Sequence, residues 1–160
     1  MIHKQLKYGR IERERTFLLD RVPGGEPDRS VEIVDRYIQG SRLRLRWMRW
    51  SDGRIEHKLA RKLPEHAPGT LVMGNLYLSA TEHALMTTLP ADELRKWRIY
   101  YGGWGVDVFE GALSGLILAE KEEDDLKKLA RMTPPFPFVR DVTGDHRYMG
   151  GHLAANGFTP

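Results

Sequence analysis

The sequence predicts a single α+β domain over residues 1–160, built mainly from about eight antiparallel strands. Three observations predict it. Apolar and polar residues alternate with a period of two along most of the chain, as in strands whose two faces meet different surroundings. Glycine-containing pairs stand where successive strand segments must reverse. The length of 160 residues suits one domain with a sizeable buried core.

Taken in order, the first strand covers about 8–20 and runs into the loop Pro23-Gly24-Gly25-Glu26-Pro27-Asp28. Strands follow at about 31–38 and 42–50, and Asp52-Gly53 supplies the positive φ of a tight hairpin into 54–63. A fifth strand covers 70–78. Ser79-Ala80-Thr81-Glu82 reads as a capping box opening a helix to about Leu89, which Pro90 stops. Strands at 94–101 and 104–109 are joined by Gly102-Gly103, and an eighth covers 115–122. Residues 123–131 form a short amphipathic helix, Thr133-Pro134-Pro135-Phe136-Pro137 breaks the chain, and a last helix covers about 145–155 before Gly157.

The polar faces of these strands are strongly ionic. Arg42, Arg44 and Arg46 share one face opposite Leu43, Leu45 and Trp47; Glu56, Lys58 and Lys62 oppose Ile55, Leu59 and Leu63. Lys96 and Arg98 oppose Trp97, Ile99 and Tyr101. Arg10, Glu12, Glu14 and Thr16 share a face on the first strand, as do Glu120 and Glu122 on the eighth. Two architectures fit: a sandwich or open sheet with charged outer ladders, or a closed barrel with its ionic faces inward and helices over its apolar outside. Three amphipathic helices among the strands favour the barrel, because an outward ionic face needs no such cover. Like charges side by side also want a counter-ion, which an enclosed ligand would provide.

Composition excludes several classes. Lys plus Arg is 25 and Asp plus Glu is 22, a net charge of +3, far from the basic excess of a dedicated DNA binder. No apolar run approaches a membrane span, and the N-terminus lacks the apolar stretch of a secretory signal, so a soluble cytoplasmic protein is expected. With no cysteine there is no disulfide, thiolate zinc site or thiol nucleophile. The six histidines lack zinc-binding spacing, and Gly103-Trp104-Gly105 lies in a hairpin, not in a dinucleotide-binding turn. Tryptophans and tyrosines at alternate strand positions read as outer packing.

Inward faces of this kind suit a phosphate chain with a metal. Arg and Lys grip phosphate oxygens, and Glu12/Glu14 and Glu120/Glu122, two residues apart on one strand face, can converge on Mg²⁺ or Mn²⁺. Catalysis there is mostly positioning and charge stabilisation.

The residues in this order resemble the CYTH domain, or triphosphate tunnel metalloenzyme family, along nearly the whole chain. Ile11-Glu12-Arg13-Glu14-Arg15-Thr16-Phe17 resembles its Glu-x-Glu-x-Lys opening, and Arg36-Tyr37-Ile38-Gln39-Gly40 with Arg42-Leu43-Arg44-Leu45-Arg46 its next block. His57-Lys58-Leu59-Ala60-Arg61-Lys62 is similar to its Leu-Thr-x-Lys strand. Lys96-Trp97-Arg98, Trp104 to Gly111, Leu116 to Glu122 and Arg140 to Tyr148 are similar to its later segments.

The resemblance implies an eight-stranded antiparallel β-barrel, a tunnel with a charged interior and helices packed outside. It implies a metal-dependent triphosphatase, with inorganic tripolyphosphate as leading substrate. Thiamine triphosphatase, class IV-type adenylyl cyclase, RNA 5′-triphosphatase and a non-catalytic triphosphate- or nucleotide-binding module are the alternatives. Glu12, Glu14, Glu120 and Glu122 are then the metal ligands; Arg42, Arg44, Arg46, Lys58, Lys62, Lys96 and Arg98 bind substrate; and Glu12, Glu14, Lys62 and Arg44 carry the chemistry, with Asp107 a supporting candidate. The expected partner is a small-molecule triphosphate, without membrane or nucleic acid, and a homodimer stays open. One departure stands out: the signature lysine position holds Thr16, and Lys58, on the face of Lys62, is the candidate to supply the missing cation.

Overall fold

The computed structural model describes residues 8–63 and 67–159. In chain order the elements are β1 (Arg10–Leu19), β2 (Arg29–Ile38), β3 (Leu43–Trp50), β4 (Ile55–Lys62), β5 (Thr70–Leu78), α1 (Ala80–Met86), β6 (Ala91–Tyr101), β7 (Trp104–Phe109), β8 (Ile117–Glu122), α2 (Leu126–Arg131), β9 (Arg140–Asp141) and α3 (Gly150–Asn156). Eight strands run β5-β4-β3-β2-β6-β7-β8-β1, and β1 pairs back onto β5, so the antiparallel sheet closes into a barrel. Closure leaves no long open edge.

The seam lies along β1. Arg10–Arg13 pair with β5, while Glu14–Leu19 pair with β8. Where β5 diverges, Gly69 O accepts from Glu14 N at 2.9 Å, and the segment around β9 takes over. There Val142 N donates to Thr16 O and Thr16 N donates to Thr143 Oγ1, both at 2.9 Å. The two-residue β9, absent from the sequence expectation, continues the ladder that β5 abandons.

Residues paired across neighbouring strands share a face, so register fixes the interior. Asp35 pairs with Arg46 and Arg46 with Lys58; Val31 pairs with Arg98 and Arg98 with Asp107; Thr16 pairs with Glu120 and Glu14 with Glu122. The ionic faces point inward, which decides between the two architectures in favour of the tunnel.

Apolar burial is correspondingly found elsewhere. On the outside, Phe17, Leu19, Trp104, Val106 and Ala119 pack under Met132 and Phe136, with Phe138 edge-on to Phe17. The cover there is the Pro-rich segment after α2, since α2 itself buries no residue and is pinned by Arg15, which donates to the carbonyls of Leu129 and Ala130. The helix α1 carries the expected capping box between Ser79 and Glu82 but ends at Met86, with Thr87 and Leu89 carbonyls accepting from Arg36. At one tunnel end, Leu153 of α3 and Tyr148 pack on Leu94, Phe109 and Leu118. The last helix is split: a 3-10 turn at His146–Tyr148 precedes α3. Among the described residues no helix is long and apolar enough to cross a membrane.

Gly69 tests the seam. At φ +70°, a Cβ there would lie 2.4 Å from Glu14 O and 2.7 Å from Thr143 Cγ2. Gly69→Ala is expected to destabilise by about 2 kcal/mol or more in urea denaturation, through backbone strain and a parted seam.

Candidate functional site

The tunnel encloses a cavity of about 590 Å³, and Glu12, Glu14, Arg42, Arg44, Arg46, Lys58, Lys62, Lys96, Arg98, Glu120 and Glu122 all line it. The sequence-selected charges therefore share one chamber. Arg42 is at the exposed rim just before β3. Lys58 is also peripheral, 3.9 Å from Glu56 and lying over the Tyr77 ring. Asp107 is fully buried beneath Arg98 and Lys96.

The cations are held by two interior carboxylates. On the β2–β3 wall, Asp35, only 1% exposed, accepts from Arg46 Nε at 2.6 Å and Arg46 Nη2 at 2.7 Å. Burial pushes the Asp35 carboxyl up, but the charges of Arg46 and Arg44 outweigh it and hold the group well below the usual carboxylate range. On the β6–β7 wall, Asp107 accepts from Arg98 Nε at 2.6 Å and Nη2 at 2.7 Å, and from Lys96 Nζ. It is likewise held down, at about 2, by Arg98 and Lys96 against the effect of burial. Arg98 Nη2 also reaches Glu120.

The β1–β8 wall is crowded with carboxylates. Burial first, then the charge of Glu120, pushes Glu14 up to about 7; burial and Glu122 raise Glu12. Lys62, facing Glu14, is pushed down to about 8 by burial and by Arg44. Arg44 is also pushed down by burial and by Arg46, and its buried Nε has no hydrogen-bond partner. Such a chamber calls for two things: an anion at Arg44 and Lys62, and a cation among the glutamates. Carboxylate oxygens are the ligands Mg²⁺ and Mn²⁺ prefer, so the donor set fits a hard divalent ion. Among the described residues no three carboxylate or imidazole groups have already converged on one point.

Several residues of the chamber escape sequence reasoning. Asp35 and Tyr37 continue the inward stripe of Val31 and Ile33 on β2, and a lone carboxylate on that apolar stripe is the signal that could have exposed it. Burial and Asp35 raise the Tyr37 hydroxyl above its ordinary range. Tyr37, Trp50 and Tyr100 line the cavity, correcting the expectation that ring-bearing strand residues pack outside; Trp47 and Trp97 do face outward. Asp145, His146, Gly150, Gly151 and His152 contribute one wall, from a segment the sequence reads only as an outer helix. Gly150 lies so close to Tyr37 that a Cβ there would stand 2.0 Å from the hydroxyl.

No protein-family model matches this chain, and no curated protein does. Solved structures do match. The inorganic triphosphatase NE1496 superposes with a TM-score of 0.60 at 23% identity, covering 93% of this chain and 96% of that one. A second structure, of the hypothetical protein NE1496, gives 0.60 at 25% identity, covering 93% and 99%. A conserved hypothetical protein from Pyrococcus furiosus gives 0.50 at 16% identity, covering 75% and 84%. The likeness shows the fold.

The charge arrangement fixes a pH dependence. Asp35 and Asp107, depressed by their partners, contribute stability that is present above about pH 4 and is lost as pH falls toward about 2. Glu14, raised to about 7, contributes stability that is present below its unfolded value and is lost as pH rises through about 7. Metal-free protein is expected to be most resistant to urea near about pH 5, weakening by about 1–3 kcal/mol by about pH 8. Glu14→Gln should flatten that decline, as read from urea midpoints across pH.

Proposed function

We propose that the chain is a metal-dependent triphosphate hydrolase acting inside its tunnel, with inorganic tripolyphosphate as the leading substrate. The observation that carries this reading is a buried Arg44 guanidinium whose Nε has no hydrogen-bond partner, beside Lys62 and facing crowded glutamates in one chamber. The fold shared with a structure named as an inorganic triphosphatase supports it.

Glu12, Glu14, Glu120 and Glu122 would hold Mg²⁺ or Mn²⁺. When bound, such an ion offsets phosphate charge and acts as a Lewis acid on phosphoryl oxygens. Arg44 and Lys62 bind the phosphate chain, Arg44 through a planar fork matched to phosphate oxygens. Lys96 and Arg98, tied to Asp107, act as fixed positive charge on the chamber wall that offsets, without gripping the phosphate, the negative charge that grows as the phosphoanhydride bond breaks. A glutamate of this wall would take the proton from the attacking water.

Thr16 favours a second reading, a non-catalytic triphosphate-binding module. It lines the cavity where the resemblance puts a lysine, and it brings no charge. Tripolyphosphate, pyrophosphate, thiamine triphosphate, ATP and RNA, each with Mg²⁺, Mn²⁺ or EDTA, separate the readings. Hydrolysis predicts phosphate release from tripolyphosphate that EDTA abolishes and that Glu12→Ala or Glu120→Ala lowers by on the order of 10²-fold or more. The module predicts calorimetric binding without product; cyclic AMP from ATP would identify a cyclase.

A further inference from the structure

Arg44 and Arg46 stand two residues apart on the same inward face of β3, and alternation gives them equal standing as phosphate ligands. Their surroundings do not. Both Arg46 Nε and Arg46 Nη2 are taken by the two oxygens of Asp35, at 2.6 and 2.7 Å. Arg44 Nε stands 3.8 Å from the same carboxylate, near enough for charge attraction but beyond hydrogen-bond reach, and has no hydrogen-bond partner. Arg44 is also directly opposite Tyr37 in the β2–β3 register, with Lys62 contributing to the same cation cluster.

The reason for the asymmetry is geometric. The Arg46 fork lies along both oxygens of Asp35, and Arg44 stops 3.8 Å away, short of the remaining acceptor positions. Asp35 is nearly sealed from water, so it must keep a cation. If Arg46 swung out to meet a phosphate, it would strand a buried negative charge, a loss that truncating one partner of such a pair shows to be severe. Arg44 has no such obligation.

We propose that Asp35 is a positioning residue that withdraws Arg46 from the substrate-binding set and makes Arg44 the anion-gripping arginine of this wall. The inference rests on the reading of the tunnel as a phosphate site and narrows it: Arg46 is a strut, and Asp35 sets how much free positive charge the chamber offers. Loss of the Asp35 charge frees a second guanidinium, so anion binding tightens and release of a phosphate product slows.

The test compares wild type, Arg44→Gln, Asp35→Asn and the double variant Asp35→Asn/Arg46→Gln. Tripolyphosphate affinity is measured by calorimetry in EDTA, inorganic sulfate affinity by thermal shift, and hydrolysis as separate KM and kcat. Arg44→Gln should weaken both anions about tenfold or more, as loss of charge-assisted hydrogen bonds does. Asp35→Asn should tighten both at least about threefold, lowering KM and kcat together. The double variant, which removes strut and counter-ion at once, should bind within about threefold of wild type. A double variant as weak as Arg44→Gln would show Arg46 to be a ligand and overturn the proposal, as would a folded Asp35→Asn that binds no more tightly. Should Asp35→Asn fail to fold, the double variant decides. Anion binding with no hydrolysis would defeat the hydrolase reading while still deciding this one; binding of neither anion defeats both.

Discussion

A cation enclosed in a barrel this narrow must have a negative partner within reach, and that requirement organises the molecule. Asp35 and Asp107 meet it, each almost or fully buried, each taking an arginine fork from a neighbouring strand. They lie on different walls, so Arg46 of β3 and Arg98 of β6 are held apart as fixed positive charge, while Arg44 keeps a buried Nε with no hydrogen-bond partner. Glu12 and Glu14 of β1 lack enough such partners, and burial beside Glu122 and Glu120 raises their proton affinities.

An ionic interior also dictates where the protein can bury apolar surface. Phe17 and Leu19 turn outward to meet Trp104 and the Pro-rich segment, while Val31, Ile33 and Met48 form one inner cluster and Leu94, Phe109 and Leu118 another beneath α3. Apolar side chains are thus interleaved with the ion pairs: Val31 pairs with Arg98, Leu94 with Asp35 and Leu118 with Asp107. Such neighbours keep water from the buried pairs, which strengthens them.

Much of this was legible in the sequence because strands place alternate residues on opposite faces. Arg42-Leu43-Arg44-Leu45-Arg46 and Glu12-Arg13-Glu14 display their faces without ambiguity, and the Asp52-Gly53 and Gly102-Gly103 turns fix which strands are neighbours. What periodicity cannot show is which inward charge answers which. Asp35 is a single carboxylate on an apolar stripe, a signal of a buried charge but not of its partner, and its claim on Arg46 exists only across the β2–β3 register. The cavity wall from Asp145 to His152 reads as part of an outer helix, with nothing to mark it as tunnel lining, and β9 is too short to have a period. Helix ends moved for local reasons: Pro90 ended the turn after α1, and β6 began at once.

A tunnel built for a phosphate chain together with a hard metal ion should hold both at once. Diffraction from crystals grown with tripolyphosphate and Mn²⁺, recorded at the manganese edge, tests this most directly. Anomalous density is expected among Glu12, Glu14, Glu120 and Glu122, with phosphate density against Arg44 and Lys62. Manganese or phosphate bound only on the outer surface, with the chamber holding water alone, would contradict it.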